Sequence, residues 1–122
     1  MNTILWTLQG LLSAFFIMPG IGKITGSKEN HIADGHLKPH HSITPIRVLG
    51  ALELLGCIGI IVPWLTGIAP VLTPIAASAF CLVMAAGMFV HTKKQQYNML
   101  PMLIIVFILS ALVAYFRFTA LA

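Results

Sequence analysis

Four long apolar runs, separated by short polar or proline-marked breaks, set the pattern of this chain. They cover about residues 4–22, 45–62, 70–90 and 99–117. Each is about 18–21 residues long, which at 1.5 Å per residue matches roughly 30 Å of hydrocarbon. Pro19 lies in the last turns of the first run and is expected to kink or end that helix; Pro63 is expected to stop the second. Thr44–Pro45 reads as a helix start, and Asn98 as a cap for the fourth run, with Pro101 tolerated in its first turn. The one long polar stretch, residues 23–44, carries Lys23, Lys28, Glu29, Asp34, Lys38 and four of the five histidines. Within it, Ser27 is placed to cap a short surface helix that Gly35 ends. The pattern predicts an all-α, integral membrane four-transmembrane-helix bundle, with residues 1–122 forming a single membrane domain.

Composition removes the soluble alternative. The chain is 58% hydrophobic and 8% charged, with mean hydropathy +0.95. Soluble domains carry about 25% charged residues, and a fold of this size could not bury so much apolar surface. The N-terminal segment has no Lys or Arg before the first apolar run, so that run is expected to remain as a span rather than to be a cleaved signal. The net charge of +4 suggests no nucleic acid partner, because the basic residues border the spans and no aromatic residues interleave with a basic patch. The lipid bilayer accounts for them. An even number of spans puts both termini on one side. Lys23, Lys28, Lys38, Arg47, Lys93 and Lys94 lie on the other side, with only Arg117 on the side of the termini. The positive-inside rule then places the termini outside, in what is expected to be a bacterial plasma membrane. Trp6, Trp64 and Tyr115 fall near one interface and Tyr97 near the other, as amphipathic rings favour.

Glu53 changes the picture most. It is the only acidic or basic side chain between Val48 and Val62. A charge at the centre of a membrane helix costs about 2.5–3.5 kcal/mol on insertion scales, so it faces a bundle interior, finds a partner or stays protonated. Connectivity brings Lys23, Arg47 and His91 to one surface, with Glu53 about 10 Å deeper than Arg47. These four residues form a candidate polar cluster for proton handling or anion binding, in which Glu53 and His91 are the candidate catalytic groups. A buried ion pair that fixes helix register is the competing reading. Gly50, Gly56 and Gly59 share a strip of small residues with Glu53, and their expected role is close helix packing against the small-residue third span.

Other candidates are weaker. Cys57 and Cys81 could sit at similar depth, but no Cys-x-x-Cys occurs, and buried free cysteine is commonly a small hydrophobe. His31, His36, His40 and His41 with Asp34 fit no metal-ligand spacing, and Pro39 breaks the helix that would align His36 with His40. No metal is assigned, and that stretch reads as a solvated loop.

Two segments carry a family resemblance. Phe15-Phe16-Ile17-Met18-Pro19-Gly20-Ile21-Gly22-Lys23 resembles the phenylalanine, glycine and lysine pattern that closes the first helix of DoxX-like membrane proteins. Arg47-Val48-Leu49-Gly50-Ala51-Leu52-Glu53-Leu54-Leu55-Gly56 resembles their second-helix pattern, and His91 after a small-residue span also fits. The resemblance implies a four-helix membrane bundle in which Lys23, Arg47, Gly50, Glu53 and His91 are the family's polar positions. Three roles fit the chain, the first two implied by the resemblance and the third by the four spans and the single membrane glutamate. The first is an accessory or assembly partner of other membrane proteins, acting with another membrane protein or as a homo-oligomer. The second is a membrane subunit of a quinone-linked oxidoreductase, with quinone as the cofactor it would handle. A small four-helix exporter is the third, although that class keeps its glutamate in the first span. The chain departs from the family in its uncharged N-terminal segment and its histidine-rich first loop.

Overall fold

The computed structural model describes residues 2–33, 37–95 and 97–121. Its long helices are α1 (Asn2–Thr25), α3 (Thr44–Thr66), α4 (Leu72–Lys93) and α5 (Leu100–Leu121). A six-residue helix, α2 (Lys28–Ala33), lies in the first connection, and a 3-10 turn, Tyr97–Met99, leads into α5. Ser27 caps α2 by accepting a hydrogen bond from the Asn30 N–H at 3.1 Å; the expected stop at Gly35 lies outside the described residues.

The four long helices are long and apolar enough to cross a membrane. Between 22% and 33% of each span's apolar window is buried inside the bundle, so most of every helix faces outward. Leu55, Ile58, Leu82, Phe89 and Ile105 are among the exposed side chains. Water would penalise such a surface heavily, whereas lipid does not.

The core runs along the bundle axis through Leu12, Phe16, Ile60, Phe80, Val106 and Val113. Phe16 of α1 and Phe80 of α4 stack at its centre, with ring centroids 4.0 Å apart and planes 12° from parallel. The glycine strip lets the backbones close on this centre. A methyl at Gly56 would fall 2.6 Å from the Phe80 ring, and one at Gly59 would fall 3.3 Å from Ala76 Cβ. The most extensive helix contacts are α1 with α3 and α4 with α5; α3 against α4 and α1 against α5 complete the bundle.

The helices overrun the expected boundaries. Pro19 lies inside α1, and Pro63 lies inside α3 rather than ending it. A proline removes the N–H that would bond the carbonyl four residues back. For Pro63 that carbonyl belongs to Gly59, and it accepts the Thr73 hydroxyl of α4 instead, at 3.0 Å. With the orphan acceptor satisfied, α3 continues for three more residues. Gly67 then ends it in the left-handed conformation, φ 73°, with its N–H on Pro63 O. At the other end Thr44 is the first helical residue, not the cap. Its N–H donates to Ser42 Oγ at 3.2 Å, so Ser42 supplies the side-chain oxygen. Asn98 lies within the 3-10 turn.

Candidate functional site

Glu53 is on the buried face of α3, with 2% of its side chain exposed. Lys23, in the last turn of α1, reaches it, and its Nζ donates to Glu53 Oε1 at 2.8 Å. The lysine side chain is 28% exposed, so the ammonium spans from the membrane surface to a carboxylate that water does not touch. The pair depends on an unusually close crossing of α1 and α3. Gly20 and Gly50 face each other there, and a methyl on Gly50 would lie 2.7 Å from Lys23 Cβ and 2.9 Å from Gly20 O.

Glu53 Oε2 is buried and accepts no hydrogen bond from the described residues. The carboxylate is therefore held at one oxygen and free at the other. It also lines a cleft of about 370 Å³ between α3 and α4, whose walls include Leu52, Gly56, Gly59, Ala76 and Ala79. Apart from Glu53 these residues are apolar or glycine, and Leu52 and Ala79 are exposed on the outward side of the helices. An apolar cleft opening toward lipid thus has one carboxyl acceptor in its wall. Such an acceptor can take a hydrogen bond or a proton from a ligand's hydroxyl.

Arg47 is near this pair but bonds elsewhere. Its Nη1 donates to the carbonyl of Lys23 at 3.2 Å and to that of Ile24. These are among the last carbonyls of α1, which lack helical donors, and a cation there also opposes the negative end of the helix dipole. Arg47 therefore closes the end of α1 and fixes the backbone that carries Lys23. His91 stands half-buried in the last turn of α4. Among the described residues, Lys23 is the one that hydrogen-bonds the Glu53 carboxylate. The structure thus brings Lys23, Arg47 and Glu53 together through the end of α1, and leaves His91 on a neighbouring helix of the same membrane face.

The two cysteines diverge. Cys57 points toward α1, 3.5 Å from Ser13 O, and Cys81 toward α5, 3.7 Å from Phe107 O. Both are free thiols. Among the described residues, no group of three His, Cys, Asp or Glu could hold a metal ion.

A second polar cluster lies at the opposite face. Arg117 of α5 is 3% exposed. Its Nε donates to Gln9 Oε1 at 2.8 Å and its Nη1 to Asn2 Oδ1 at 2.9 Å. The guanidinium lies 4.3 Å from the Trp64 ring centroid and 5.5 Å from that of Trp6. Gln9, fully buried, also donates from Nε2 to Ile60 O at 2.6 Å. In the sequence Arg117 stands out only as a marker of topology, and Gln9 carries no charge to mark it. The available signal is a polar residue inside the first apolar run, near the end that carries two tryptophans and the single arginine of that face.

Residues 7–113 match the sequence profile of a family described as the DoxX-like family. Neither a curated protein nor a solved structure matches the chain.

Proposed function

The chain belongs to the DoxX-like family of membrane proteins, and on that footing we propose that it seats an apolar, hydroxyl-bearing molecule of the quinol class against Glu53, as the membrane component of a redox assembly. One observation carries this reading: a buried carboxylate with an unbonded Oε2 lines an otherwise apolar cleft open to the bilayer. Its volume, about 370 Å³, is within the range of small-molecule sites. A quinol arriving from lipid places its ring among Leu52, Ala76 and Ala79, and its hydroxyl donates to Glu53. Lys23 holds the other oxygen and keeps the carboxyl group oriented. Oxidation of the quinol to the quinone gives two electrons to a partner protein and releases two protons; Glu53 accepts them one after the other, and His91, near the membrane surface on the same side, passes each to water before the next arrives. By the positive-inside rule that side is cytoplasmic and the termini are outside.

A role purely as an accessory or assembly partner draws on small residues for docking, but Gly50, Gly56 and Gly59 are spent on contacts within the bundle. The protein partner is therefore retained here as the electron acceptor.

The test is binding of a short-chain quinol to the protein in lipid nanodiscs. Ala79→Phe fills the cleft without touching the Lys23–Glu53 pair and is expected to weaken binding at least tenfold. Glu53→Gln should weaken it less, since an amide oxygen still accepts. Copurification of a stoichiometric protein partner, with quinol binding absent or unaffected by Ala79→Phe, would favour the accessory role instead. Drug resistance on expression would favour the exporter.

A further inference from the structure

Among the described residues, Arg117 is a buried cation with no carboxylate partner. The chain has three acidic side chains, Glu29, Asp34 and Glu53. Glu53 is paired with Lys23 toward the opposite face, about 16 Å along α3 from Trp64. Glu29 is in α2, in the connection between α1 and α3 at the opposite end of the bundle, and Asp34 lies outside the described residues. The guanidinium's partners are two neutral amide oxygens and two indole rings. Nη2 is buried and donates to no described residue. Neutral oxygens and ring faces offset only part of the cost of desolvating a full charge.

Beside it is a hollow of about 450 Å³, lined by Asn2, Leu5, Trp64, Phe116, Arg117 and Thr119, with Ala120 at its edge. It lies where α1 begins and α5 ends, the end of the bundle where tryptophan side chains favour the level of lipid headgroups. We propose that this hollow is an oxyanion site for a phosphate group, in which Arg117 supplies the counter-charge and Trp64 and Trp6 hold the guanidinium plane. Arginine suits this task because its remaining N–H donors match phosphate oxygens in a fixed fork. The phosphate can belong to an anionic lipid headgroup or to a soluble phosphate, and the two sources share the same recognition chemistry. The site is independent of the α3–α4 cleft.

The site carries its own reporter, because Trp6 and Trp64 are the chain's only tryptophans and both flank Arg117. Intrinsic tryptophan emission is titrated in phosphatidylcholine nanodiscs with inorganic phosphate, and separately by raising the fraction of phosphatidylglycerol, against sodium chloride of equal ionic strength. A saturating change with phosphatidylglycerol alone assigns the headgroup as the ligand. Saturation with inorganic phosphate as well assigns the soluble oxyanion class. Arg117→Gln should weaken either response at least tenfold. Ala120→Leu narrows the hollow while leaving the arginine's hydrogen bonds in place; it should do the same with helical content and unfolding unchanged. A response to neither probe, or one that survives both substitutions, overturns the proposal.

Discussion

Replacing Gly50 with alanine tests the close crossing on which the Lys23–Glu53 pair rests. The added methyl would lie 2.7 Å from Lys23 Cβ, 2.9 Å from Gly20 O and 3.2 Å from Ile24 Cγ1. Ordinary carbon–carbon contact is about 3.5–4.0 Å, so the helices must part by about 1 Å at this level. Two of the three obstructing atoms ride on the α1 backbone and cannot rotate aside. Overpacking costs about 1–3 kcal/mol, and alanine's better helix propensity returns up to about 1 kcal/mol. Separation also stretches the 2.8 Å ion pair and the Arg47 bonds to the end of α1. The expected net loss is about 2 kcal/mol, close to 30-fold in the unfolding equilibrium. Two other glycines supply the scale. A methyl at Gly20 would meet mainly the Leu54 side chain at 3.0 Å, which can yield, and one at Gly22 would meet nothing within 4 Å. Reversible unfolding in mixed micelles, followed by far-ultraviolet circular dichroism, should rank the alanine variants Gly50, Gly20, Gly22 from most to least damaging. Gly22→Ala should be neutral or mildly stabilising. If Gly50→Ala is no more harmful than Gly22→Ala, the described crossing is wrong.

Three further outcomes follow from the hydrogen bonds. Lys23→Met strands the buried carboxylate and should cost about 3 kcal/mol, the low end for a broken buried pair because the lysine is partly exposed; adding Glu53→Met should recover most of that loss in the same unfolding assay. Arg47→Leu leaves the last carbonyls of α1 without their donor, so amide exchange at Thr25 and Gly26 should quicken about tenfold or more while exchange in α5 is unchanged. Thr73→Val leaves Gly59 O unbonded and should destabilise by about 1–3 kcal/mol, whereas Thr73→Ser, which keeps the hydroxyl, should cost much less.

The spans were legible because nothing but lipid tolerates four such apolar runs, and the runs are separated by residues that interrupt them. Their ends were less so. Pro63 reads as a stop in isolation; it becomes an interior residue because Thr73, ten positions on in another helix, donates to the carbonyl it strands. Glu53 declared itself by being the lone charge in its run, and Lys23 by lying at the same surface. The actual partner of Arg47 could not be read, since it depends on how closely α1 and α3 cross, and a pattern of apolar residues carries no crossing distance. Gln9 was invisible to a reading led by charge. Its bond to Arg117 joins residues 108 positions apart, a separation that no local pattern encodes.

That last bond has a consequence for how the protein is made. At synthesis rates of about 5–20 residues per second, the first helix waits several seconds for the last. Gln9 can give an amide hydrogen to Ile60 once α3 is in place, but its oxygen and that of Asn2 meet Arg117 only when α5 arrives. Until then the membrane holds a half-finished polar seam at the edge of the first helical hairpin. The fold therefore announces its own completion at one spot, where the two ends of the bundle meet. A chain released before residue 117 would keep that seam open, where quality-control proteases could engage it.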